Sequence, residues 1–182
     1  LYYKASESSN YTESASGSVS CSIGKVTPTV TAPTPKTLTY NTSSQVLANE
    51  GSTNWGTIQY CLNSSGGTYS ATVPSASEAN VTYYVWYKVV GDSNINDVAP
   101  ASIECMIAES RVTTPTITLD PSSATYDGTA KTPTPTVKDG STVIPSSEYT
   151  VTYENNVNAG TATVVINDKT AGNYYISGST IA

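Results

Sequence analysis

The sequence contains no histidine and no phenylalanine, a single methionine and three cysteines, and only 12% of its residues are charged. Without histidine the chain lacks the side chain that most often serves as a general base near neutral pH and most often ligates a metal. No Gly-x-Ser-x-Gly, Cys-x-x-Cys or paired-carboxylate arrangement takes its place, so a non-catalytic chain with no cofactor is expected. Basic residues are few, 8 against 14 acids for a net charge of −6, and nowhere do they cluster. A nucleic-acid reader needs a positive footprint to displace counterions from phosphate, which this composition excludes. An anionic membrane surface would repel it for the same reason. No apolar run approaches the ~18 residues of a membrane span, so no membrane insertion is expected of this segment. Glu, Lys, Arg and Ala, which fill the solvent face of helices, are too sparse to surface a helical protein.

What the chain does have is serine and threonine, together about 30% of its residues, with 14 tyrosines and many valines. These side chains suit pleated, half-buried strands. The 10 prolines and 12 glycines fall mostly between apolar runs, where they mark turns. No window carries apolar residues at i, i+3, i+4 and i+7 for long enough to predict a helix. The expected class is all-β.

The organisation follows from a repeat. Tyr3-Lys4 and Tyr87-Lys88 lie 84 apart (87 − 3), and the same offset carries Ser9-Asn10 onto Ser93-Asn94, Ser18 onto Ser102, Cys21 onto Cys105 and Ile23 onto Ile107. "VTPTV" at Val26 answers "VTTPTI" at Val112. "LTYNTSSQ" answers "ATYDGTAK", with Tyr40 and Tyr126 86 apart (126 − 40). A period of about 85 residues fits tandem small domains, since solenoid repeats run ~20–50 residues. The predicted division is a terminal hairpin of an upstream unit over 1–25, one domain over 26–110 and another over 111–182. The opening hairpin belongs to a domain that precedes this segment, or else completes a sheet on another copy of the chain.

Alternation predicts the faces of the strands. "NVTYYVWYKVVG" sets Tyr83, Val85, Tyr87 and Val89 inward and Tyr84, Trp86, Lys88 and Val90 outward. Ile58, Tyr60 and Leu62 should face the core, as should Ile103, Cys105 and Ile107. Tyr149, Val151 and Tyr153, then Ala162, Val164 and Ile166, do the same further on. Turn signals at Asp139-Gly140 and Asn158-Ala159-Gly160 separate such strands, as in an antiparallel sandwich.

The text "LTYNTSSQVLANEGSTNWGTIQYCLN" with "VTYYVWYKVVGDSNIND…PASIECMIA" resembles the bacterial immunoglobulin-like repeats of large surface proteins. "ATYDGTAKTPTPTVKDGS…YTVTYENNVNAGTATVVI" resembles a sister class, marked by its Tyr-Asp-Gly and Asn-Ala-Gly turns. The resemblance implies tandem Ig-like β-sandwich domains on a cell surface or in a secreted protein, serving as a stalk or adhesive scaffold, with neighbouring repeats as the first partners. Ig-like repeats also ride on phage virions, which gives a virion decoration or fibre as an alternative. Lys-Asn isopeptide staples occur in related sandwiches and need a buried lysine. Lys4 and Lys88 point outward by the alternation, and Lys36, Lys131 and Lys138 fall near turns, so none is expected.

Three features could carry binding chemistry. Tyr84 and Trp86 share an outward face and Trp55 sits in the loop "STNWGT", so these aromatics could stack on a glycan or anchor a host protein. Asp92, Asn94 and Asn96 have the spacing with which a calcium loop begins, but Asp97 stands where glycine is needed and Ile103 where glutamate is needed. That leaves a weak cation site or an ordinary turn. The cysteines are expected as free thiols: Cys21 and Cys105 as small buried hydrophobes at equivalent positions, and Cys61 facing out, away from Cys105. Sequons at Asn10, Asn41, Asn63 and Asn80 occur about as often as this composition gives by chance.

Overall fold

The computed structural model describes residues 1–181, and its regular structure is strand throughout apart from one 3-10 turn at Ser146–Glu148. The first 25 residues form a sparse arm. Strands β1 (Tyr2–Tyr3) and β2 (Gly17–Ser18) pair antiparallel, and a bridge joins Ser8 to Tyr11. The ammonium of Leu1 donates to the Val19 carbonyl at 3.0 Å, and Lys4 pairs with Glu13. Among the described residues no second layer covers this hairpin, and Ile23 is 99% exposed. Cys21, expected as a core residue, is exposed as well, because the arm offers it no facing sheet.

Nine of the next strands build a sandwich. They are β3 (Val30–Thr31), β4 (Thr34–Pro35), β5 (Leu38–Thr39), β6 (Gln45–Val46), β7 (Ala48–Asn49), β8 (Ser52–Thr53), β9 (Thr57–Leu62), β10 (Ser75–Ala76) and β11 (Thr82–Val90). A tenth, β12 (Val98–Ala108), completes it. One layer has the order β5-β12-β11-β9, antiparallel except for the parallel pair of β12 with β5. The other joins β3 to β8, β4 to β7 and β6 to β10. The segment from Val30 to Thr39 therefore starts in one layer and ends in the other. Pro33, fully buried between β3 and β4, and Pro35 cannot donate to a ladder, which suits a chain that is changing sheets.

The inward residues interleave between these layers. Leu47, Ala48, Tyr60, Val73, Ala79, Tyr83, Val85, Cys105 and Ile107 form the core, with Leu38, Ile58, Leu62, Tyr87 and Ile103 packed around it. Tyr60, Tyr83, Val85, Cys105 and Ile107 are residues that period-2 alternation assigns to the inner face of their strands, whereas Leu47, Ala48, Val73 and Ala79 come from short strands and loops. The phenol of Tyr60 reaches the far layer, where its oxygen accepts from Gly51 N at 2.9 Å.

A second cluster lies beyond Ser110. Here β13 (Ser110–Val112) leads into β14 (Thr116–Asp120), β15 (Thr134–Asp139), β16 (Thr142–Val143), β17 (Tyr149–Glu154), β18 (Thr163–Asp168), β19 (Tyr174–Ile176) and β20 (Ser179–Ile181). One layer is β14-β15-β16, the other β17-β18-β20, and β13 runs parallel to β19. The β15–β16 hairpin turns at Gly140-Ser141, where Gly140 takes φ +55, a value that costs glycine nothing. Val112, Val137, Ile144, Tyr149, Val164, Ile166, Tyr174 and Ile176 make the core, and Ile117, Leu119, Val151 and Tyr153 flank it.

The two clusters meet at Tyr40, which packs against both. Its ring stands edge-on to Tyr174, with centroids 5.2 Å apart and planes at 76°. Asn173 clamps the same seam. Its amide oxygen accepts from Ala79 N at 2.7 Å, and its amide nitrogen donates to Glu78 at 2.9 Å and to Glu148 at 3.3 Å. Asn80 adds donations to the Gly172 carbonyl at 3.0 Å and to Glu109 at 3.1 Å. Burial in this seam pushes the phenol pKa of Tyr40 up, helped by Glu148 and Glu78. That of Tyr174 rises too, through burial, then Tyr40, Glu148 and Asp139.

Candidate functional site

Strand β11 puts Tyr84 and Trp86 on the outer face of its sheet, two residues apart, opposite Glu104 and Ser102 on β12. Tyr84 is 40% exposed, and Trp86 is half-buried beside Cys61, its register partner on β9. Trp55 lies elsewhere. It occupies the turn before β9, at the end of the sheet where Thr57 pairs with Val90. Trp86 and Val90 are four residues apart, roughly 13 Å at the rise of a strand. The structure thus brings Tyr84 and Trp86 together and sets the 53% exposed Trp55 apart from them. Three aromatics do not form one platform.

The outer face is also less open than alternation suggests. The loop after β9 folds back over it, and the ring of Tyr69 lies 4.3 Å beneath the ammonium of Lys88. A Cβ built on Gly67 would come 2.6 Å from Cys61 Sγ, so a larger residue there would have to push the Cys61 side chain aside. Cys61 faces away from Cys105, as expected, but is 8% exposed rather than open to solvent. Alternation reports which side of a sheet a residue occupies, and a covering loop decides whether that side is wet. The three thiols are free and sit in three different surroundings. Burial raises the pKa of Cys105, which makes it a poor nucleophile.

The loop of Asp92, Asn94 and Asn96 is a turn held by its own hydrogen bonds. Asp92 Oδ1 accepts from Asn94 N at 2.7 Å and Ile95 N at 3.1 Å, and Asp97 Oδ1 accepts from Gly91 N at 2.7 Å. The side chain of Asn96 donates to Thr27 at 3.0 Å. Lys25 brings its ammonium to the Asp92 carbonyl at 2.8 Å, a fixed cation where a metal would have to approach. Among the described residues no group of three or more Cys, Asp or Glu side chains converges as a metal site.

Two of the sequon asparagines have structural tasks. Asn63 takes φ +58 and accepts from Tyr84 N at 2.9 Å, closing the end of the β9–β11 ladder. Asn80, at φ +57, commits its amide nitrogen to the seam described above. Residue type and spacing give no hint of either.

A further opening lies elsewhere again, at one end of the C-terminal sandwich. A cleft of about 610 Å³ separates residues 121–126 and 130–133 from the loop 155–161 and the start of β18. Both turns singled out in the sequence, Tyr126-Asp127-Gly128 and Asn158-Ala159-Gly160, border it. Tyr153 forms part of its floor, its hydroxyl donating to the Pro133 carbonyl at 2.8 Å. Lys131 is the one charged side chain in the lining, and it is paired with Asp127. That pairing, with bonds from Thr129, holds the Asp127 carboxyl well below the usual carboxylate range. Sequence reasoning did not foresee this cleft, whose walls lie up to 45 residues apart (164 − 119).

Compared with protein-family models, with curated proteins and with solved structures, the chain matches none. The functional reading therefore rests on the geometry above.

Proposed function

We propose that this chain is a non-catalytic segment of tandem Ig-like repeats from a bacterial surface or secreted protein, acting as an extended stalk or adhesive scaffold. The observation that carries the reading is the seam. A short connection between two small β-folds need not fix their arrangement. Here Asn173 spans the seam with bonds to Ala79, Glu78 and Glu148, and Tyr40 inserts between both cores. Such a joint resists bending, and a series of them would add length rather than coil. The strand that changes layers, with β5 parallel to the last strand of its sheet, supports the Ig-like part of the reading. The backbone of β12 is zipped to β11 over most of its length, so pulling along the chain loads many hydrogen bonds together.

Single-molecule stretching between the two ends tests this. Two separate unfolding events are expected, each releasing roughly 250–300 Å of chain for about 70–85 residues. Smooth extension without discrete events would remove the mechanical role.

A further inference from the structure

The outer face of the β11–β12 pair sets an acid beside two aromatic side chains. Glu104 stands directly opposite Tyr84 and diagonal to Trp86, whose own partner is Ser102. Strands β11 and β12 are the two inner strands of their four-stranded sheet, so this spot is the middle of a face and not its rim. Glu104 is exposed, and among the described residues its carboxylate has no hydrogen bond and no ion pair. The Tyr84 hydroxyl is equally without a partner among them. Met106, two residues beyond Glu104 on the same face, is 54% exposed. Surface carboxylates commonly sit near bases; this one has aromatic and thioether neighbours instead.

The spacing of the aromatics matters. Two residues apart on one strand, Tyr84 and Trp86 stand about 6.7 Å from each other along it. That is roughly twice the 3.5–4.0 Å at which carbon atoms touch, which leaves room for one flat group between two rings. The backbone here is pinned, since Tyr84 N donates to Asn63 Oδ1 at 2.9 Å and its carbonyl accepts from Asn63 N at 2.7 Å. The same face already holds one cation on a ring, the ammonium of Lys88 at 4.3 Å from the centre of Tyr69. Lys88 does not neutralise Glu104. It lies four residues from Tyr84, about 13 Å along the strand, beyond the ~8–10 Å over which a charge is felt through salt.

We propose that Tyr84, Trp86 and Glu104 form a docking site for an arginine side chain presented by a protein partner. Its guanidinium would lie flat against the aromatic rings and donate paired N–H groups to the Glu104 carboxylate. Arginine suits the site better than lysine, because its plane stacks on a ring while its edge forks onto a carboxylate. A neutral sugar could donate hydroxyl groups to Glu104 but brings no charge to balance it. The net charge of −6 also draws a basic partner toward the surface and repels an acidic one. Tyrosine, tryptophan and arginine are the side chains that concentrate binding energy at interfaces. The site goes beyond the stalk reading, and the stretching experiment can fail while this contact stands.

A nuclear magnetic resonance titration of the full chain with an acetylated, amidated Gly-Arg-Gly peptide tests it. The chain has two tryptophans, so their indole signals report the site and an internal control together. The Trp86 signal should shift saturably, while that of Trp55, set apart at the end of the sheet, stays in place. Glu104→Gln should weaken binding by about fivefold, since it removes the charge from the paired hydrogen bond. Tyr84→Leu keeps bulk but removes the ring, and should weaken it by about threefold. A Gly-Lys-Gly peptide should bind about threefold more weakly than the arginine peptide. Glu104 is exposed, so Glu104→Gln should keep the parent's melting temperature, which excludes unfolding as the cause. No saturable shift at Trp86 would overturn the proposal, as would binding that survives Glu104→Gln. Equal shifts of both indoles would mean diffuse attraction to an acidic surface and would overturn it too. So would a neutral oligosaccharide that moves Trp86 where the peptide does not.

Discussion

Residues 19–24 and 103–108 carry the same alternation, with Cys21 and Ile23 answering Cys105 and Ile107, in two settings. In the second, Ile103, Cys105 and Ile107 point between two layers, and Ile107 loses all contact with water. In the first, Ile23 is almost fully exposed and no sheet among the described residues faces it. The alternation is the same and the burial is opposite. A strand pattern therefore specifies a face, while the stabilisation comes only from the layer that covers it. Burying an isoleucine side chain is worth on the order of 1.5–3 kcal/mol, and the arm gains none of it.

Substitution at the two isoleucines should separate these settings most widely. Ile107→Ala should cost about 2–5 kcal/mol in denaturant unfolding, since it leaves a cavity in a closed core. Ile23→Ala should change stability by about 0.5 kcal/mol or less at concentrations where the chain is monomeric. Equal losses at the two sites would break the comparison.

The seam ranks next. Asn173→Ala removes the acceptor of Ala79 N and two carboxylate contacts, and should cost about 1–3 kcal/mol. Calorimetry should then show the single transition of the parent splitting into two. A variant that still melts in one step would mean that the clamp does not couple the two cores.

Alkaline pH weakens the same places more gradually. Burial raises the phenol pKa of Tyr60, Tyr149 and Tyr174 and, at the seam, of Tyr40, above the ordinary 10.0. The folded chain then holds these protons more tightly than the unfolded chain. Their contribution is complete below pH 10 and is lost as pH rises through the folded values. With no histidine to titrate, the melting temperature should stay nearly flat from about pH 6 to 9 and fall above 10. A steep change near neutrality would contradict this.

The smallest effects belong to exposed positions. Trp55→Ala should shift stability by roughly 0.5 kcal/mol or less. A thiol reagent should label Cys21 at once in the native protein and reach Cys61 and Cys105 only as it unfolds. Fast labelling of all three would mean that the loop over Cys61 does not close.

Much of the fold was legible because it depends on neighbours along the strand. Tyr83, Val85 and Val89 are buried and Tyr84 and Val90 exposed, as period-2 alternation requires. The all-β class follows from the same evidence. What was not legible depends on residues far apart in sequence. Cys61 is dry because a loop closes over it, and Asn173 matters because Ala79, 94 residues away, presents an amide to it. The cleft is hidden for the same reason, although both of its marker turns stood out as motifs. The binding residues expected from exposure alone divide: Tyr84 and Trp86 share a face and Trp55 does not. The Asp92 carboxylate proves to serve its own loop, and the Asn94 carbonyl accepts from Val26 N.

Amide hydrogen exchange resolved by residue tests the central comparison most directly. In dilute solution, amides of residues 105–108 should be protected nearly to the global stability, while those of 19–24 exchange at the rate of an unstructured peptide. Protection of 19–24 in the dilute monomer, or free exchange at 105–108, would contradict the account.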